Sequence, residues 1–212
     1  MRTWLCLLTT LSLSLAAPAL AYEPAPGADV TRVMSVIEWL NHEVRQSDLV
    51  VLAQVQSNAY PNPQTGRVQA VVKVGEVFNG PQVPSMLMVQ VKSGFRGSKY
   101  VLPTPLMKDQ WALLFLRNEA GRWVAPPVGR VVETPYKGLT FYPTYNVVIS
   151  DATPGLSWDY VLGSLRQLVA TRKQIINGYM PSLRQATNQE QRDRILFNIE
   201  WQVKEQLGLP VP

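Results

Sequence analysis

The chain has 212 residues, 46% of them hydrophobic and 17% charged, with a net charge of +5, 17 prolines, six tryptophans, one cysteine and one histidine. A charged fraction below the roughly 25% typical of soluble domains, beside so many apolar residues, excludes a disordered chain. A single cysteine excludes disulfide-stapled scaffolds and zinc fingers, and the length suffices for a buried core in one or two domains.

Residues 1–21 carry Arg2, an apolar stretch from Leu5 to Leu15 and the small-residue pattern Ala19-Leu20-Ala21. This is the organisation of a secretory signal peptide, with cleavage expected after Ala21. The stretch is shorter than the roughly 20 apolar residues of a membrane span, so no transmembrane segment is expected in the mature chain. Cys6 would leave with the signal, and with it any disulfide, thiol catalysis or thiolate metal site. No Asn-x-Ser/Thr acceptor occurs. Together these features point to a periplasmic or secreted bacterial protein.

Residues 22–28 form a proline-rich leader with little to bury. From Asp29, read as an N-cap, Val30, Val33, Met34, Ile37, Leu40 and Val44 recur at helical spacing. After Ser47-Asp48 the period becomes that of strands. Leu49–Gln56 is a β-branched run that ends at the turn cluster Tyr60-Pro61-Asn62-Pro63. Val68–Phe78 alternates until its phase slips at Gly75, which predicts a β-bulge. Further strands are expected at Met86–Lys92, Trp111–Leu116 (continuously apolar, so buried on both faces), Arg122–Ala125, Val128–Glu133 and Leu139–Ile149. A helix starts near Ser157, read as its N-terminal cap, and should end at Gly178. A last helix opens on the capping-box spacing Thr187 to Glu190 and carries Ile195, Leu196, Ile199, Val203 and Leu207.

These elements predict an α+β fold: an N-terminal helix, an antiparallel OB-like β-barrel of about six strands and two C-terminal helices. The expected divisions are the signal at 1–21, the leader at 22–28, helix plus barrel at 29–155 and a helical region packed on the barrel at 156–212. With no helices between strands, a parallel sheet is excluded by connection length.

The segments Ser47-Asp48-Leu49-Val50-Val51-Leu52-Ala53-Gln54-Val55, Val74-Gly75-Glu76-Val77-Phe78-Asn79-Gly80 and Asp109-Gln110-Trp111-Ala112-Leu113-Leu114-Phe115-Leu116 together resemble the strand series of a barrel domain common in bacterial secreted proteins. That barrel is similar to the oligonucleotide/oligosaccharide-binding fold as used by netrin-like modules and tissue inhibitors of metalloproteinases. The resemblance covers about residues 47–125. It implies a barrel and contributes little about activity. Those inhibitors chelate the protease zinc through an amino-terminal cysteine, which the mature chain from Tyr22 lacks.

The motifs of catalysis are missing. One histidine, His42, builds neither a His-x-x-His metal site nor a Ser-His-Asp triad, and it is expected to be a helix-surface or rim histidine bonded to a neighbour. Ser157 lies in no Gly-x-Ser-x-Gly elbow, and Pro81 occupies the lysine position of a phosphate loop after Gly75 and Gly80. No metal, calcium loop or cofactor is expected. Between residues 92 and 137, eight basic side chains face three acidic ones, interleaved with aromatics. Lys92, Arg96, Lys99, Tyr136, Tyr142 and Tyr145 are therefore the candidate binding residues, for stacking and charge contact with an anionic or sugar-like polymer. The competing assignment places the aromatics in the core and the cations on solvated strand edges. Phe197 and Trp201, four apart on the last helix, could anchor a partner protein, but are expected to lie against the barrel.

The function expected from all this is a non-enzymatic binding module that engages an anionic polymer or an envelope protein, with nucleic acid not expected. The alternatives are an envelope hydrolase using paired carboxylates and a protease-inhibitor-like module.

Overall fold

The computed structural model describes residues 32–57, 68–91, 94–96, 99–101, 106–125, 130–133, 139–142, 147–150 and 156–210. The expected signal, its cleavage site, the leader and Asp29 lie outside these residues. No helix among the described residues is long and apolar enough to cross a membrane.

The chain opens with β1 (Arg32–Met34) and α1 (Val36–Arg45). The helix starts later than its periodicity suggests. Ser35 is extended at φ −73°, ψ 163°, and its side chain accepts from the Glu38 N–H at 3.3 Å, which makes Ser35 the N-cap. Val33 and Met34 stand at helical spacing from Ile37 but are taken instead by a parallel pairing with β11 (Val147–Ile149).

Five strands close the barrel: β2 (Leu49–Val55), β3 (Val68–Asn79), β4 (Met86–Val91), β7 (Trp111–Glu119) and β8 (Arg122–Ala125). Around the ring they run β2-β3-β4-β8-β7 and back to β2. An odd number of strands cannot alternate direction all the way round, so one neighbouring pair must be parallel. That pair is β4 with β8, from Val89↔Trp123 to Val91↔Ala125. Every other pairing in the seven-stranded sheet is antiparallel, as expected, and closure imposes this one exception. The topology is compatible with an OB-like small barrel.

On its second edge β7 pairs with β9 (Arg130–Glu133) at Ala112–Leu114 and with β8 at Arg117–Glu119. β9 in turn pairs with β10 (Leu139–Tyr142). The single strand expected over 139–149 is thus two, β10 and β11, in different sheets. The short strands β5 (Gly94–Arg96) and β6 (Lys99–Val101) form a separate hairpin. Between β7 and β8, Ala120 (φ 51°) and Gly121 (φ 81°) make a two-residue turn with positive φ at both positions, the form that matches strand twist.

Alternation of side chains divides the barrel wall between two cores. Leu49, Val51 and Ala53 of β2 point inward to meet Val72, Val89, Ala112, Leu114 and Leu116. Val50, Leu113 and Phe115 point outward and join Trp39 and Leu40 of α1 and Leu165 and Leu168 of α2. Trp39 is fully buried, edge-on to Phe115 and to Phe141, with ring centroids 5.6 Å apart in each case. The bulge is where the phase slip places it. Register passes from Leu52↔Glu76 to Ala53↔Val74, skipping Gly75. A Cβ there would stand 2.9 Å from Cζ3 of Trp111, whose indole lies across the gap.

α2 (Trp158–Gln185) is capped by Ser157, as expected, but continues through Gly178 and Pro181. Tyr179 and Leu183, beyond the expected stop, still pack on the helical core, and their burial offsets the penalties of glycine and proline. α3 (Gln189–Gln206) is capped by Asn188, one residue after Thr187. The reciprocal contact comes from Gln191, whose Oε1 accepts from the Thr187 N–H at 2.9 Å. α2 also docks on the barrel through a bidentate pair, Arg166 Nε and Nη2 to Glu76 at 2.9 and 2.6 Å, with the guanidinium over Phe78.

Gly80 holds the end of β3 against the start of β2. Its φ is +105°, and a Cβ would fall 2.4 Å from the Asp48 carbonyl oxygen, whereas nothing lies within 4 Å of one at Gly121. Gly80→Ala should therefore cost about 2 kcal/mol or more in urea unfolding, clearly more than Gly121→Ala. Equal losses would show that the close approach is unimportant. The Arg166 hydrogen bond, reinforced by its charge, holds the Glu76 carboxyl below its ordinary value of 4.5. A depressed carboxylate stabilises above its unfolded-state pKa and loses that contribution as pH falls through the folded one. Glu76→Gln should accordingly flatten part of the fall in stability below about pH 4.5, a small effect because both partners are substantially exposed.

Candidate functional site

The three helices converge on one carboxylate. Arg172 of α2 donates from Nη2 to Glu200 Oε1 at 2.8 Å and from Nη1 to Oε2 at 3.1 Å. The same Nη1 reaches the buried Asn41 Oδ1 of α1 at 3.0 Å. Arg45, in the last turn of α1, places Nε 3.2 Å from Glu200 Oε2. Asn41 and Arg45 share a helix face because they are four residues apart. Glu200 on α3 thus fastens that helix to both of the others.

α3 exposes Leu196, Phe197 and Trp201, by 49%, 58% and 40%. The Phe197 and Trp201 rings lie 6.2 Å apart. With Arg45, Arg172, Glu200 and Lys204 they line a cavity of about 470 Å³. The Lys204 side chain makes no hydrogen bond or ion pair among the described residues. A second cavity, about 590 Å³, lies against the other side of Arg45 and Arg172, walled by Phe78, Gly80, Lys173 and Ile176 among others. The expectation that Phe197 and Trp201 rest on the barrel is overturned. α3 buries Ile199 and Val203, and at roughly 100° per residue positions 197 and 201 fall on the opposite side of the helix.

The candidates from the basic segment are only partly placed. Lys92, Tyr136 and Tyr145 lie outside the described residues, and Arg96, Lys99 and Tyr142 are described in backbone alone. Arg96 and Lys99 are direct cross-strand partners in the β5–β6 hairpin, as are Phe95 and Tyr100. Tyr142 belongs to another sheet, opposite Arg130 on β10–β9. Several other members of the segment are packing groups. Arg130 is buried, Trp123 packs on the barrel core and Phe141 on the helical core. Arg117 donates to the backbone oxygen and to Oε1 of Gln46 at 3.0 and 2.7 Å.

His42 has the setting expected of it, with Gln46 Nε2 hydrogen-bonded to its Nε2 at 2.8 Å. No group of three or more His, Cys, Asp or Glu side chains able to hold a metal occurs among the described residues. Sequence reasoning missed Arg45, Arg172 and Lys204, which come from three helices. The aromatic pair on α3 was the one local signal of the site.

No protein-family model and no curated protein matches the chain. The closed five-stranded barrel is compatible with an OB-like small barrel, and no family is assigned beyond that.

Glu200 and its main partner are largely shielded, with side chains 19% and 12% exposed, whereas the Glu190–Arg194 pair on the same helix is 82% and 73% exposed. Glu200→Ala should cost about 2 kcal/mol by stranding Arg172, and Glu190→Ala less than about 0.5 kcal/mol. Urea unfolding of the two variants tests the difference.

Proposed function

We propose that this protein is a non-enzymatic binding module of the bacterial envelope or exterior, which captures a partner on its three-helix face. The observation that carries this is the exposed Phe197–Trp201 pair on the rim of a cavity walled by Arg45, Arg172 and Lys204. Aromatic and arginine side chains around a concavity are the usual energetic centres of protein interfaces. Monomeric proteins seldom leave clustered large apolar groups in water without such a use. The barrel and the helical core supply a rigid base for that face. A hydrolase using paired carboxylates finds less support: among the described residues Glu200 is the one carboxylate lining this cavity, and two arginines already engage it.

A second reading concerns the β5–β6 hairpin. Like charges directly opposite on neighbouring strands repel, and Arg96 faces Lys99 in this way. An anionic polymer lying along the hairpin would relieve that repulsion.

Sedimentation of the purified chain with isolated bacterial envelopes tests both. Phe197→Ser with Trp201→Ser should lower the retained fraction several-fold without changing the thermal midpoint, because both side chains are exposed. Retention equal to that of the parent chain would refute capture by the helical face. A loss seen only with Lys92→Glu, Arg96→Glu and Lys99→Glu would assign retention to the hairpin instead.

A further inference from the structure

We infer that the occupant of the three-helix cavity is an acidic segment of a partner protein carrying a large apolar side chain. The inference rests on the binding reading above and names the chemistry of what is bound.

Charge is the first ground. Among the described residues that line the cavity, three cations, Arg45, Arg172 and Lys204, accompany one carboxylate, Glu200. Glu200 engages both terminal nitrogens of Arg172 but meets Arg45 through Nε. Among the described residues, the Lys204 ammonium has no hydrogen-bond or ion-pair partner. The wall therefore carries an excess of two positive charges beside apolar surface, where carboxylates form strong charge-assisted hydrogen bonds.

Shape is the second ground. A cavity of about 470 Å³ accepts one large side chain with its neighbouring backbone. A small molecule filling it would leave much of the rim uncovered, since Leu196, Phe197 and Trp201 are exposed by 40% to 58%. Chain on either side of an anchoring residue would cover them. The second cavity shares Arg45 and Arg172 with the first and is also lined by Lys173, whose side chain has no partner among the described residues. A chain crossing Arg45 would pass from one concavity to the other and meet a further cation. Aromatic or aliphatic anchors with flanking Asp and Glu satisfy every wall of this track.

The test uses the full chain and a fluorescein-labelled 12-residue peptide of alternating Glu and Asp with one central Phe. Two control peptides replace the Phe by Ser or the acids by Lys. Fluorescence anisotropy should show saturable binding of the acidic Phe peptide that weakens as salt rises and the Debye length falls below about 10 Å. Lys204→Glu and Trp201→Ser should each weaken it at least about tenfold, the effect of a contact worth about 1.4 kcal/mol. Comparable binding of the Lys peptide, or unchanged affinity in both variants, would overturn the inference. So would light scattering that finds a dimer converted to monomer by Trp201→Ser, since the occupant would then be a second copy. If envelope retention depends on Phe197 and Trp201 while the acidic peptide fails to bind, the binding function stands and this assignment of the partner falls.

Discussion

Burial of β7 on both faces is the constraint from which the rest of the molecule follows. From Ala112 to Leu116 every side chain is withdrawn from water. Ala112, Leu114 and Leu116 fill the barrel, while Leu113 and Phe115 project into the helical layer. Fully burying a leucine or phenylalanine contributes about 1.5–3 kcal/mol, and here consecutive residues contribute to two different cores. Barrel and helices are thereby coupled through a single strand. The same strand holds β2 along one edge and β9 and β8 in succession along the other, so its position sets the register of most of the seven-stranded sheet.

The helical layer completes what β7 begins. Trp39 fills the space over Phe115 and Phe141, and α2 covers the outward side chains of the barrel wall. α3 is less deeply committed. Its buried residues are Ile199 and Val203, and polar clips hold the rest of it through Glu200. A helix that buries one narrow stripe presents its opposite face to solvent, and on this helix that face is aromatic. Clustered large apolar groups left exposed on a surface point to a role in association. Their neighbours are cations drawn from α1 and α2, so the surface exists only when all three helices are assembled.

Fold and function separate cleanly here. A five-stranded barrel serves many unrelated activities, and its topology assigns none of them. The features that bear on function are the α3 aromatics, the surplus of positive charge around Glu200 and the facing cations of the β5–β6 hairpin. None of the three lies on the five barrel strands.

Much of the fold was legible in the amino-acid order, because the signals were local. A β-branched run marked β2, and alternation marked β3 and β4. The unbroken apolar run at Trp111–Leu116 announced a doubly buried strand, the phase slip at Gly75 announced the bulge, and Ser157 announced a helix cap. Other features depended on partners distant in the chain. Val33 and Met34 sit at helical spacing, yet a parallel strand more than a hundred residues away claims them. Gly178 and Pro181 are local stop signals that packing by Tyr179 and Leu183 outweighs. Tertiary structure alone decided that β8 closes on β4 in parallel, since only a closed ring of five strands requires it. The site divides in the same way. The sequence by itself marked Phe197 and Trp201 as a helical pair of possible use in binding. It could not place Arg45, Arg172 and Lys204 around them, because charge complementarity is a property of surfaces, and this surface is assembled from three helices that meet only in the folded chain.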